Sequence, residues 1–271
     1  MRVYVISDTH LEMRFENNII EIHPESENDV LALCGDIGYP HDNNYYEFVR
    51  RHSERFYHIF IVTGNHEYYS RTKQYSMNEI EHYLFALCAK FRNVTYLQET
   101  TYTLGDYLFV GCTLWTHVDE SCQSRMNDYN QVYLDDSTHP ETRIEYETDG
   151  LMSVKAKYFN PYKRQLRWMD VVQIHQRHEE WLKNVIESEE EKKIVVLTHH
   201  PPSFRMTRKD NIAYASHCDD LIKEPVICWL SGHTHQSTFI EINGIPCVSN
   251  CYGYPTERDC DYRSGYYVEL E

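Results

Sequence analysis

The sequence has no basic stripe, no long hydrophobic run and no paired cysteines. Its 271 residues hold 26 Lys and Arg against 42 Asp and Glu, a formal net charge of −16. A chain this acidic repels polyanions at long range. That argues against a non-specific nucleic-acid binder, which needs clustered positive charge. A nucleotide or phosphopeptide stays open, because bound divalent ions reverse the local sign. No apolar run approaches the roughly 20 residues that span a bilayer, so no membrane partner is expected. The first residues, MRVYVISDTHLE, lack a long apolar core and a small-residue cleavage site, and read as mature structure. The nine cysteines are scattered and form no C-x-x-C pair, and Cys34, Cys88, Cys112 and Cys228 lie in or beside apolar runs. They read as buried, reduced thiols of an intracellular, cytoplasmic protein, and a zinc–thiolate site is not expected. Repeats, low-complexity linkers and domain boundaries are also missing, so residues 1–271 are expected to form one domain.

What is present is a series of apolar strands alternating with helical patterns. With 41% hydrophobic residues the chain can bury a substantial core without disulfides. Strands are expected at 2–6, 29–34 and 58–63. Helices are expected at 43–54, where Tyr45, Phe48, Val49 and His52 share one face behind Asp42 or Asn43, and at 76–90, with Ser76 as a cap. This β-α-β-α-β order implies parallel strands. Short strands follow at 94–97, 101–104 and 107–113, with Gly105-Asp106 as a hairpin signal. Residues 116–150 are polar, acidic and nearly aperiodic, and read as a long excursion over the site. A helix at 165–187 precedes strands at 194–198, 226–230, 237–242, 245–249 and 266–270, and Asn243-Gly244 marks a two-residue hairpin turn. The 23 tyrosines read as surface packing.

Five of these strands run into clusters of metal-binding side chains. The runs VYVIS, VLALC, IFIVT, IVVLT and ICWLS lead into Asp8-Thr9-His10, Gly35-Asp36, Gly64-Asn65-His66-Glu67, His199-His200 and Gly232-His233-Thr234-His235. If the strands lie side by side, their carboxyl ends place two Asp, one Asn and several His along one edge. A lone Asp or His at a strand end is usually a turn or packing residue. Five such clusters in series are not a chance arrangement.

The blocks D-x-H, G-D, G-N-H-E, H-H and G-H-x-H resemble those of the calcineurin-like metallophosphoesterase superfamily, and with their strands they span nearly the whole chain. The resemblance implies a four-layer α-β-β-α sandwich of two mixed β-sheets flanked by helices, with the metal site at the carboxyl ends of the strands. It implies two divalent transition-metal ions. Asp8, His10 and His235 would hold the first, Asn65, His199 and His233 the second, and Asp36 would bridge them. Oxygen and imidazole donors without thiolate suit manganese first, with iron, zinc, nickel and cobalt as alternatives. The resemblance further implies in-line attack on phosphorus by a metal-bridging hydroxide, with His66 as proton donor. His199 and His200 cannot point the same way from one strand end. The family pattern favours His199 as ligand and leaves His200 behind it or facing substrate. Glu67 either orients a neighbour or is structural.

The departures narrow the class. The G-D-x-x-D-R of the Ser/Thr phosphatases is replaced by Gly35-Asp36-Ile37-Gly38-Tyr39-Pro40. Tyr39 has the spacing of an iron-binding tyrosine in the purple acid phosphatases, but those enzymes lack the histidine that His10 supplies here. The pattern looks more like the small phosphohydrolases and phosphodiesterases. The expected substrate is a phosphate monoester or diester of small to moderate size. A metal-dependent nuclease and a non-enzymatic protein-binding scaffold are the alternatives. Residues 111–116, 126–129 and 250–255 are candidates for a substrate pocket, with Asn127 or Arg205 as candidate phosphate contacts.

Overall fold

The computed structural model describes residues 1–14, 20–70, 75–138, 143–149, 153–159, 161–208 and 211–270. Its first part is β1 (Arg2–Ile6), β2 (Val30–Cys34), α1 (Asn43–Ser53), β3 (His58–Val62), α2 (Met77–Cys88) and β4 (Val94–Tyr96). The strands β5 (Thr100–Leu104) and β6 (Tyr107–Cys112) form a hairpin. After them come α3 (Asp128–Gln131), β7 (Tyr133–Asp135), β8 (Arg143–Asp149), β9 (Ser153–Phe159), β10 (Lys163–Gln165) and α4 (Trp168–Ser188). The chain closes with β11 (Lys193–Thr198), β12 (Val226–Ser231), β13 (Thr238–Ile242), β14 (Ile245–Ser249) and β15 (Tyr267–Glu269).

Two sheets face each other. One has the order β15-β1-β2-β3-β4, the other β13-β14-β12-β11-β6-β5. Within each, the inner strands are parallel and the outermost partners β15, β13 and β5 run antiparallel, so both sheets are mixed, as expected. The strand sequences are apolar on both faces because both faces are buried. Val3, Val5, Val30, Ala32, Phe60 and Val62 meet Phe109, Val195, Leu197, Cys228 and Leu230 between the sheets. The alternate residues Tyr4, Ile6, Leu31, Leu33, Ile59 and Ile61 point outward to Tyr45, Phe48 and Val49 of α1 and Ile80, Leu84 and Leu87 of α2. On the second sheet, Leu108, Val110, Ile194, Val196 and Trp229 pack outward against Leu182 and Ile186 of α4. Each fully buried aliphatic side chain contributes about 1.5–3 kcal/mol, and the period-two alternation fixes which core it joins.

The helix signals were good guides. Ser76 caps α2 through a reciprocal pair with Glu79. Asp42 precedes α1, although its side chain makes no capping bond. The last helix starts at Trp168 and not at 165, because residues 163–165 form β10, paired with β7. Asp170 caps the start of α4 by accepting the Arg167 N–H at 2.8 Å. The excursion needs a larger correction. It is not irregular: it holds α3, β7 and β8, and β8 pairs with β9. Lys163 ties its return to α2 through Glu79 at 2.5 Å, both groups nearly inaccessible to water. Asn78 donates to Asp135 at 2.8 Å.

Candidate metal centre

Strands β1, β2 and β3 are neighbours in one sheet, and β11 and β12 in the other. Their carboxyl ends bring the five motif blocks together at one end of the facing sheets. The turns there are strained. Among the described residues, ten non-glycine positions have positive φ, and Asp8 (55°), His10 (45°), Asp36 (53°), His233 (70°) and His235 (53°) are five of them. A non-glycine residue in this region costs of order 1–3 kcal/mol and persists where the surroundings over-determine it. Glycine supplies the closest approaches. A Cβ on Gly35 (φ 82°) would stand 2.5 Å from His199 Nδ1, and one on Gly64 would collide with the Asp36 carboxylate.

The sequence-predicted residues form two groups that share one carboxylate. Donor atoms of Asp8, His10, Asp36 and His235 lie within 4.8 Å of one another, and so do those of Asp36, His199 and His233. His235 Nε2 is 3.4 Å from Asp8 Oδ1, His10 Nε2 is 3.8 Å from Asp36 Oδ2, and His199 Nε2 is 3.5 Å from Asp36 Oδ1. Asn65 joins the second group through its oxygen, 3.1 Å from His199 Nε2.

Every histidine of the two groups has one ring nitrogen anchored. His10 Nδ1 meets Glu12 Oε1 at 3.2 Å, and His235 Nδ1 meets Glu257 Oε2 at 2.6 Å. His199 Nδ1 meets the Cys34 carbonyl at 2.9 Å, and His233 Nε2 meets the Ala213 carbonyl at 3.1 Å. An anchor that accepts a proton from one nitrogen leaves the other as a lone pair, which is how metal-binding imidazoles are oriented. Asn65 is treated the same way. Its amide group donates to Asp128 Oδ1 at 2.9 Å and to Tyr69 OH at 3.1 Å, turning its oxygen toward His199. The donor set of carboxylate, amide oxygen and neutral imidazole fits divalent transition metals.

The electrostatics match. Burial lowers the His199 pKa to about 4 against the pull of Asp8, and lowers His10 and His233 as well. These rings are neutral and ready to donate. Burial, with Glu67 and Asp8 nearby, pushes the Asp36 carboxyl well above its ordinary range, a position in which only cations would keep it ionised. Asp8 is pulled down despite its burial, by His235 and the neighbouring imidazoles. Its carboxylate also accepts from Ser7 Oγ and from the His233 N–H at 3.0 Å.

His66 stands beside this cluster and belongs to neither of the two groups. Its Nδ1 is 3.1 Å from Glu12 Oε1 and its Nε2 is 3.2 Å from Tyr254 OH, with Tyr69 stacked on the ring. Burial works to lower its pKa, but Asp36 and Glu12 override it and hold the ring at about 9. Glu67 proves to be a backbone clamp: its carboxylate accepts the N–H groups of Gly64 (2.7 Å), Asp36 (2.8 Å) and Ile37 (2.8 Å), tying the ends of β2 and β3 together. His200 turns away from the cluster to the Thr113 carbonyl at 3.2 Å and packs between Trp115 and His233.

The pocket segments divide. Thr113 is tied to Thr63 and Gln98, and Asn250 to Val5 and Arg263, so both support loops. Arg205 donates to the Glu241 carbonyl and Asn127 is exposed, while its neighbour Asp128 reaches the centre. Tyr254 lies over His10 and His235, with ring centroids 4.4 Å from each. Glu12 and Glu257 were not among the expected site residues, and Asp128 and Tyr254 lay inside the candidate pocket segments 126–129 and 250–255 without a role of their own.

A chain of this fold with this donor cluster is a metal-dependent phosphoester hydrolase by class. The family model for calcineurin-like phosphoesterase matches residues 1–237. The chain belongs to the calcineurin-like phosphoesterase family. It is 28% identical over 292 residues to uncharacterized protein L509 of Acanthamoeba polyphaga mimivirus, covering 98% of this chain and 95% of that protein. Its structure resembles the phosphopantetheinyl hydrolase of Mycobacterium tuberculosis with a TM-score of 0.67 and 16% identity, covering 93% of this chain and 89% of that one. At that identity the likeness shows the fold alone.

Proposed function

We propose that the chain hydrolyses a phosphate monoester or diester of small to moderate size at a pair of divalent ions. Asp8, His10 and His235 would hold one ion, Asn65, His199 and His233 the other, with Asp36 shared. The observation that carries this reading is the membership of Asp36 in both groups of mutually close donors. When bound, such a pair supplies Lewis acidity and acidifies water.

The remaining tasks fall to the chain. Asp8 and Asp36 bring the negative charge that cations need. Glu12 and Glu257 orient the two facing imidazoles of His10 and His235. His66 carries the proton for the departing oxygen. Glu12 holds its Nδ1, and Tyr254 OH sits on the side of Nε2 from which that proton would leave. Cations bound nearby would bring the His66 pKa down from about 9 toward neutrality, where a general acid works best.

Arg14 donates to the carbonyls of Thr9 and Gly253 beside the centre and forms no salt bridge with Asp8 or Asp36, so substrate phosphate would be neutralised mainly by the ions themselves. With the charge of −16, this favours a compact phosphoester over a nucleic acid. The intact donor set speaks against the scaffold alternative. No helix among the described residues is long and apolar enough to cross a membrane, and nine buried free thiols support a reducing, intracellular setting. The direct test is hydrolysis of a generic monoester and a generic diester by the metal-stripped protein resupplied with manganese, iron, zinc, nickel or cobalt. At least one pairing should turn over, and silence across the panel would overturn the reading.

A further inference from the structure

A second constellation of metal-binding groups lies outside the centre just described, and it includes a cysteine. On α4, His175 and Glu179 stand at i and i+4, on one face of the helix. Cys218, from the segment between β11 and β12, packs against them. Cys218 Sγ is 3.7 Å from Glu179 Oε1, and Glu179 Oε2 is 3.8 Å from His175 Nε2. One donor atom from each of the three lies within 4.8 Å of the others.

We propose that His175 Nε2, the Glu179 carboxylate and Cys218 Sγ form a further metal site, for a borderline-soft divalent ion such as zinc, with water as fourth ligand. The inference does not rest on the phosphoesterase reading.

The imidazole is already prepared. His175 is buried, and its Nδ1 meets the Leu114 carbonyl at 3.0 Å. That anchor fixes the proton on Nδ1 and leaves the Nε2 lone pair facing Glu179, as the Cys34 carbonyl does for His199. Cys218 is fully buried, while the Glu179 side chain is 39% exposed and opens a route from solvent. Tetrahedral zinc with bonds of about 2.1 Å to N and O and about 2.3 Å to S has ligand-to-ligand edges of about 3.3–3.6 Å. The two contacts to the Glu179 carboxylate, 3.7 and 3.8 Å, exceed these by a few tenths of an ångström, and the edge from His175 to Cys218 lies within 4.8 Å. Rotation of the partly exposed Glu179 and of Cys218 about its Cα–Cβ bond would have to draw the three together.

The charge balances too. In the resting protein, burial and the Glu179 carboxylate push the Cys218 thiol up, so it stays protonated and donates to Glu179. On binding, the S–H bond breaks, the proton leaves to solvent past Glu179, and the sulfur pair bonds the metal. A thiolate, a carboxylate and a divalent cation sum to zero, so no net charge is buried. The thiolate sets the preference for zinc-like ions over manganese or magnesium. Such an ion would pin α4 to the segment that also carries Ala213, the anchor of His233.

Cobalt(II) separates this site from the main centre, because only a thiolate ligand gives a sulfur-to-cobalt charge-transfer band in the near ultraviolet. Metal-free protein titrated with cobalt should develop that band with the intensity of one thiolate-bound ion per chain, complete by three equivalents in all, two of them taken by the main centre. Cys218→Ser should abolish it and leave phosphoester hydrolysis unchanged. Glu179→Gln, at a half-exposed position where folding is safe, should keep the thiol but raise the cobalt needed for half-saturation at least about tenfold, the loss typical of even an indirect partner. No band at saturating cobalt, or a band that survives Cys218→Ser, would overturn the proposal.

Discussion

The Nε2 atoms of His10 and His235 face each other across 3.0 Å, although the residues lie 225 positions apart in the chain. Each ring has its Nδ1 engaged with a glutamate, Glu12 for His10 and Glu257 for His235. Two lone pairs at this distance need a proton or a cation to hold them together. Burial opposes a proton on His235, but Asp8 and Glu257 outweigh it and raise its pKa. A proton on His235 can therefore bridge the pair in the metal-free protein, and a cation bound between the rings would take its place.

His66 tests the proton-transfer part of the account. His66→Ala should keep its metals, because the ring belongs to neither donor group. Its kcat should fall about 10²–10⁴-fold on esters with poor leaving groups and far less on an aryl ester whose leaving group needs no proton. Equal losses on both would assign His66 to ion or substrate binding.

Glu12 holds His10 and His66 at once, and its side chain is almost fully buried. Glu12→Gln keeps the shape but removes the charge. Metal affinity should weaken about 10–100-fold, as for other partners of metal-binding histidines, and the acidic side of the kcat pH profile should shift. An unchanged profile with normal metal content would show that Glu12 only fills space.

Glu67 makes a stability prediction independent of metals. Its carboxylate satisfies three buried N–H groups. Each donor left without a partner costs about 1–3 kcal/mol, so Glu67→Ala should lose several kcal/mol in urea unfolding of the metal-free protein. A loss below about 1 kcal/mol would mean that water replaces the carboxylate without penalty.

Stability should also fall at mildly acidic pH through His52, far from the metal centre. Its Nδ1 donates to the Phe48 carbonyl at 2.8 Å and its Nε2 accepts the Ile22 N–H at 3.2 Å, so the ring is held neutral. Burial takes its pKa to about 4, from an ordinary 6.5. Above pH 6.5 neither state binds the proton and this contribution is constant. Between 6.5 and about 4 the unfolded chain binds a proton that the native state refuses, so stability drops as pH falls, by up to about 1.4 kcal/mol per unit. His58, also lowered to about 4 by burial, acts in the same direction. Urea midpoints of the wild type and His52→Gln, compared from pH 7.5 to 5, should diverge, with the variant less steep. Parallel curves would contradict the assignment.

The motif residues were legible because each follows an apolar run at the end of a buried strand, where sequence order and space coincide. Asp36 is recognisable beside Gly35 for that reason. Glu12 was not, because its meaning comes from His66, in the helical turn that follows β3, 54 residues away. Asp128 lay in a candidate pocket segment where Asn127 was the expected contact, and only the fold brings Asp128 to Asn65. The strand β8 has a period-two alternation, Ile144, Tyr146 and Thr148, but it is too polar to read as a core strand. The left-handed backbone of Asp8, His10, Asp36, His233 and His235 matches residue types enriched in that region, but most Asp and His stand elsewhere, so type alone does not announce it. A zinc–thiolate site was not expected because no cysteines are paired in sequence; Cys218 approaches His175 and Glu179 only through tertiary packing.

The central claim is that one carboxylate, Asp36, unites two ions. Metal-stripped wild type and Asp36→Ala can be equilibrated with manganese, a hard ion with little affinity for the Cys218 thiol, and the bound metal counted per chain. The account predicts two ions on the wild type and loss of the pair in Asp36→Ala, with hydrolysis lost alongside. A variant that still holds two ions would contradict it.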